Sequence, residues 1–187
     1  VVGKKIEVRR AHAGEKLKTL DGIERELSSN DLVIANASVP MCIAGVMGGL
    51  DSGISGTTSS IFLEAAYFLP TAVRKTSKHH ILNSDSSFRF ERGADPNNVI
   101  YARNRAIDLI LNVCGGELKQ VYDHYPSALV PARVEFEYEK CRKLCGADFT
   151  NEQLDRLLTA LDFTIESVSE NGCTVHVPTY RNDVNRQ

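Results

Sequence analysis

No apolar run in the 187-residue sequence is long enough to cross a membrane. Stretches such as residues 61–68 fall far short of the roughly 20 residues that a spanning helix needs. The first residues, Val1, Val2, Gly3, Lys4 and Lys5, lack the charged-then-apolar order of a secretory signal. Both absences point to a cytoplasmic address without a membrane partner. A basic surplus is missing too, since 22 Lys and Arg stand against 24 Asp and Glu for a net charge of −2. A free-standing nonspecific RNA binder must neutralise many phosphates, so that class is excluded and any nucleic-acid contact is local. Cys141 and Cys145 are spaced for one helix face, but no second Cys/His pair lies at zinc-finger distance. They read as packing residues, and no metal is expected. The five cysteines, Cys42, Cys114, Cys141, Cys145 and Cys173, are odd in number and scattered, as free thiols of a reducing compartment would be. There is no initiator methionine and no flexible leader, and residues 178–187 are polar and lead into nothing. Both ends therefore read as cuts within a longer protein.

What the sequence does contain is the composition of an ordinary globular protein, 42% apolar and 25% charged, enough for one large domain or two small ones. Val1 and Val2 open a strand-like segment, and Ile6 and Val8 alternate with charges. Asp21-Gly22 stands between strand-like flanks as a hairpin turn. Residues 31–35, 41–46 and 61–68 read as short buried strands, the last two separated by a Gly/Ser/Thr loop. Pro70 opens a helix running toward Ile81, followed by a polar stretch over 83–87. Asp95 as N-cap and Pro96 in the first turn open a second helix through Val99, Arg103, Ile107 and Leu111, which Gly115 and Gly116 stop. Residues 122–132 carry two prolines and no periodicity, so a domain boundary falls there. Beyond it come a strand at 134–136, a short helix closed by Gly146, and a Thr150/Gln153 capping box ahead of Leu154, Leu157, Leu158 and Leu161. Two strands flanking Asn171-Gly172 then make a hairpin.

Four segments together resemble the bacterial phenylalanyl-tRNA synthetase beta chain. They are Gly14-Glu15-Lys16-Leu17-Lys18-Thr19-Leu20-Asp21-Gly22, Ile43-Ala44-Gly45-Val46-Met47-Gly48-Gly49, Leu63-Glu64-Ala65-Ala66-Tyr67-Phe68 and Arg89-Phe90-Glu91-Arg92-Gly93-Ala94-Asp95-Pro96. Pro178-Thr179-Tyr180-Arg181-Asn182-Asp183-Val184 resembles the opening of the closing pattern of the family's next domain. The resemblance implies an α+β fold in which residues 1–127 are a mixed-sheet editing domain with packed helices. Residues 128–187 would be a small helical domain with a β-hairpin, winged-helix-like, and both domains would be truncated at their outer ends. It further implies hydrolysis of Tyr-tRNA(Phe) in a pocket lined by Ala44, Gly45, Glu64 and Ala66. By the same resemblance, tyrosine would be the editing ligand, tRNA(Phe) and an alpha subunit the partners in a heterotetramer, and ATP and Mg would serve only the full enzyme. No ATP-binding motif of either synthetase class occurs here, and the fragment itself needs no cofactor. The family also uses an upstream Thr-Asn pair and a Gly-Gln-Pro-x-His segment that would precede Val1. A non-catalytic tRNA-binding or docking module of the same synthetase is the alternative.

Glu64 stands out on physical grounds as well, because it interrupts an apolar run and a buried carboxylate costs several kcal/mol unless paired or hydrogen-bonded. Either a ligand or an internal partner such as Arg74, Arg89 or Arg92 must answer it, unless the strand ends there in water. Small residues at 44, 45, 48, 49, 65 and 66, on two strands expected to be neighbours, leave space for a ring. Gly48 and Gly49 are equally explained by a turn. An apolar Phe pocket cannot strongly reject an amino acid that merely adds a hydroxyl, whereas a site that bonds the hydroxyl rejects Phe well. No side-chain nucleophile is convincing: Cys42 sits among apolar neighbours, and His79 and His80 read as solvated or RNA-facing. A water held by backbone groups at Gly45 fits better. Lys75, Lys78, Arg74, Arg89 and Arg92 form a candidate patch for the tRNA end, or a solvated helix face, with Glu91–Arg92 a possible internal pair.

Overall fold

The computed structural model describes residues 5–184 and Arg186, so the strand-like opening at Val1 and Val2 lies outside the described residues. Two compact units divide the chain, residues 1–94 and 95–187.

The first unit is built on a four-stranded sheet in the order β1 (Glu7–Arg10), β4 (Leu32–Ala35), β5 (Pro40–Ile43), β6 (Met47–Gly48). A separate hairpin pairs β2 (Lys16–Lys18) with β3 (Glu24–Glu26) around the expected Asp21-Gly22 turn. Arg25 locks that turn, donating to both Asp21 carboxylate oxygens at 2.8 Å. The partner guanidinium and the Thr19 hydroxyl hold the Asp21 carboxyl well below the usual carboxylate range. Ala11, Leu17, Leu27, Val33, Ile43, Val46, Phe68, Val73 and Leu82 form the core.

Two helices close this unit. Helix α1 (Pro70–His79) begins at its proline, as expected. Helix α2 (Asp85–Phe90) arises from the segment read as merely polar, because Ser84 and Ser87 exchange side-chain and backbone hydrogen bonds in a capping box. Among the described residues every strand pairing is antiparallel rather than mixed. Turns and loops connect β4 to β5, β5 to β6 and β8 to β9, and the β2–β3 hairpin lies between β1 and β4, while α4, α5 and β8 intervene between β7 and its partner β9.

The second unit opens on helix α3 (Asn98–Cys114), none of whose residues is buried, and which Gly115 ends with φ +69°. It starts later than expected. The Asp95 carboxylate accepts from the Asn97 N–H at 2.9 Å and its carbonyl from the Asn98 N–H at 3.2 Å, so Asp95 closes a turn and Asn97 becomes the cap. Residues 115–132 contain neither helix nor strand. Strand β7 (Arg133–Glu137) leads into α4 (Tyr138–Cys145) and α5 (Asn151–Ala160), then β8 (Thr164–Val168) and β9 (Gly172–His176), in a sheet ordered β7-β9-β8. The Gly146 stop and the Thr150/Gln153 capping box form as expected. Tyr138 is fully buried, with its hydroxyl donating to Asp155 at 2.8 Å. Among the described residues no helix is long and apolar enough to cross a membrane.

Candidate functional site

The loop after β5 turns over Ala44, Gly45 and Val46, with the Val46 N–H donating to the Ile43 carbonyl at 3.0 Å. Gly45 takes φ +70°, and a Cβ there would stand 2.7 Å from Phe68 Cδ2 and 3.2 Å from Val73 Cγ2. The turn therefore requires glycine twice, for its left-handed backbone and for the close approach of Phe68. Helix α2 fixes the turn from outside. Ser86 donates its hydroxyl to the Gly45 carbonyl at 3.0 Å, and Ser84 donates to the Val46 carbonyl. The Gly45 N–H has no hydrogen-bond acceptor among the described residues. Phe68 packs edge-on against Phe90, with ring centroids 5.0 Å apart, and so joins the two ends of the 68–90 segment. Neither serine was singled out from the sequence. Both lie in a segment without apolar periodicity, and only the Ser84-to-Ser87 spacing signals the cap.

Residues 61–68 do not form the expected strand. Their intended neighbour β5 already has β4 on one edge and β6 on the other, which leaves no ladder to join. Ile61 and Phe62 are more than half exposed. Ala44 and Gly45 are thus in a turn, while Glu64 and Ala66 lie on an extended segment of which Ala66 and Phe68 pack on the core. Glu64 is close enough to β5 for its charge to act on Cys42. Burial, with Glu64 second, pushes the Cys42 thiol up to about 11, so this cysteine stays protonated at neutral pH and is no nucleophile.

Glu64 has no hydrogen bond or ion pair among the described residues, and Arg74, Arg89 and Arg92 leave it alone. Desolvation by the surrounding protein pushes its carboxyl pKa above the ordinary value of 4.5. Glu64 is nonetheless exposed to solvent rather than buried as its apolar run led one to expect, because residues 61–65 lie on the surface, so water screens the effect and keeps it small. In the window between 4.5 and the raised folded value, the folded state binds more protons than the unfolded one. Stability therefore falls as pH rises through that window, and the cost persists above it. Glu64→Gln is expected to give a small rise in melting temperature at pH 7 that vanishes at pH 4. Thermal unfolding at the two pH values checks this.

Gly48 lies on β6, where an added Cβ would meet Leu20 Cδ1 at 3.1 Å, and its carbonyl accepts from the Leu20 N–H at 3.0 Å. It accommodates the β2–β3 turn. A hollow of about 90 Å³ opens beside Ala44, Phe68 and Val73 without reaching Glu64, and it is far smaller than a ligand pocket. In the second unit a more open hollow of about 290 Å³ contains Asp95 and Asp162, whose carboxylates already accept from Thr179 and Tyr180 hydroxyls.

Lys75 and Lys78 on α1 and Arg89 on α2 are exposed and without a carboxylate partner among the described residues. Arg92 is engaged, donating to Glu91 at 3.1 Å and to the Phe88 carbonyl at 2.9 Å, with its guanidinium 3.5 Å above the Phe88 ring. His80 departs from the solvated or RNA-facing reading. Its side chain is 6% exposed and its Nε2 lies 2.9 Å from Asp31, a partner 49 positions earlier that local sequence could not reveal.

Residues 1–115 match the family model of the B3/4 domain, and residues 134–187 match that of the tRNA synthetase B5 domain. The chain belongs to the B3/4 domain family. It carries the B3/4 and B5 domains of the phenylalanyl-tRNA synthetase beta subunit. The chain is 41% identical over 187 residues to the phenylalanine–tRNA ligase beta subunit of Porphyromonas gingivalis, covering 100% of this chain and 23% of that protein. With the same subunit of Bacteroides thetaiotaomicron the identity is 43% over 190 residues, again 100% and 23%. With that of Geobacter metallireducens it is 40% over 188 residues, 100% and 24%. The chain thus spans about a quarter of the length of the curated relatives it matches.

Proposed function

We propose that this chain is part of a phenylalanine–tRNA ligase beta subunit and that its B3/4 domain hydrolyses Tyr mischarged on tRNA(Phe). The observation that carries the reading is Glu64. It is an exposed carboxylate without a partner among the described residues, close enough to Cys42 on β5 for its charge to act there. A carboxylate left without an internal partner is suited to accept the phenol hydroxyl of tyrosine. Ala44 and Ala66 would leave space around the ring, whereas the space at Gly48, which the sequence reading also assigned to the pocket, is taken by Leu20. The free Gly45 N–H, on a turn whose carbonyls are tied to Ser84 and Ser86, would position the attacking water or the ester carbonyl without a side-chain nucleophile. Lys75, Lys78, Arg89 and Arg92 would meet the tRNA end through phosphates.

We take residues 1–127 as the editing domain and 128–187 as the small domain, a division that the family spans 1–115 and 134–187 support, and we read the small domain as winged-helix-like from its helix pair and terminal hairpin. The whole enzyme would pair with an alpha subunit in a cytoplasmic heterotetramer and use ATP and Mg for aminoacylation.

A second reading, a tRNA-docking module without hydrolysis, is favoured by the unpaired cations on α1 and α2 and by the small size of the hollow beside Ala44. Calorimetric titration with free tyrosine and phenylalanine separates the two. Editing predicts saturable tyrosine binding at least about tenfold tighter than that of phenylalanine, since leaving a charged acceptor unpaired costs about 1.5–3 kcal/mol. Equal affinities would favour docking.

A further inference from the structure

Three potential metal ligands converge where α1 ends. Ligand atoms of Asp31, His79 and His80 all lie within 4.8 Å of one another. They come from two places in the chain, the residue preceding β4 and the last turn and cap of α1. Asp31 is 1% exposed and is held before any ion arrives, because its Oδ2 accepts from the Ser28 N–H at 2.8 Å and from the Ser28 hydroxyl at 3.0 Å. The His79 and His80 rings stand 4.7 Å apart, and His79 is exposed and therefore reachable.

We propose that Asp31, His79 and His80 bind a divalent first-row transition ion of the zinc class. Two imidazole nitrogens and one carboxylate oxygen are the donor set such ions favour, and oxygen-seeking Mg or Ca would not choose it. Tetrahedral ligands about 2.0–2.1 Å from zinc stand roughly 3.3 Å apart. The observed 2.9 Å between His80 Nε2 and Asp31 Oδ2 needs to open by only a few tenths of an ångström. The ion would lie at the C-terminal end of α1, where the helix dipole favours positive charge. The Ser28 bonds supply the outer support that orients a ligating carboxylate. Water or an incoming ligand completes the coordination, and the ion ties the end of α1 to the start of β4. This inference is independent of the editing role.

The test is titration of chelator-treated protein with Zn²⁺ by calorimetry and with Co²⁺ by absorption, together with thermal unfolding. We expect saturable one-to-one binding and a raised melting temperature. In His79→Ala, affinity should fall at least about tenfold and the thermal shift should disappear. His79 is exposed, so this variant keeps its fold, whereas His80→Ala also removes the buried Asp31 contact. The Cys141 and Cys145 sulfurs, 3.9 Å apart, are a rival site that would announce itself by a thiolate-to-cobalt band. Absence of saturable binding, binding undiminished in His79→Ala, or a thiolate band at the first equivalent would each overturn the proposal.

Discussion

Gly45→Ala is expected to destabilise the first unit by about 2–5 kcal/mol, a drop of roughly 8–40 °C in its melting temperature. Two costs add. The φ of +70° places an L-residue in the left-handed region, at about 1–2 kcal/mol. The new Cβ would then stand 2.7 Å from a ring atom of Phe68, and Phe68 cannot yield freely because it packs on Phe90 and the core, so overpacking adds about 1–3 kcal/mol. Gly22→Ala is the control. It has φ +81° with nothing within 4 Å of the added Cβ, so only the backbone cost applies. Thermal or denaturant unfolding of the two variants therefore separates strain from collision. Equal losses would mean that Phe68 moves aside and that the turn is less constrained than its contacts imply.

The sequence made local features legible wherever a backbone need has its own residue. The β2–β3 turn at Asp21-Gly22, the proline that opens α1, the Thr150/Gln153 box and the Gly146 stop all depend on residues a few positions apart. Features that depend on distant partners were hidden. Residues 61–68 have strand composition, yet β4 and β6 fill both edges of β5, and no local pattern records edge occupancy. The α2 capping box uses serine at both positions rather than Glu or Gln at the second, so it passed as a polar linker. His80 finds Asp31 only after the sheet and α1 are placed. At the candidate site the sequence marked Glu64 as anomalous but could not choose among an arginine, a ligand and a side chain that simply reaches water, and the exposed Glu64 of the fold agrees with the last. The fold removes the arginines from contention without itself supplying a ligand.

Glu64 carries the second large effect. As an acceptor for the tyrosyl hydroxyl, its charge-assisted hydrogen bond would be worth about 1.5–3 kcal/mol, or roughly 10- to 150-fold in rate if the bond is made in the transition state. Its carboxyl has no structural task among the described residues, since no ion pair or hydrogen bond depends on it. Truncation should therefore spare the fold, which separates this residue from Gly45, whose loss acts through stability. On the proposed function, phenylalanine charging would take place elsewhere in the enzyme and should be untouched.

The most direct measurement is deacylation of Tyr-tRNA(Phe) by the whole synthetase carrying Glu64→Ala, compared with the unaltered enzyme under single-turnover conditions. The account predicts a rate at least about tenfold lower with an unchanged melting profile at pH 7 or a slightly raised one. Tyrosine clearance at the unaltered rate by a folded Glu64→Ala enzyme would contradict it.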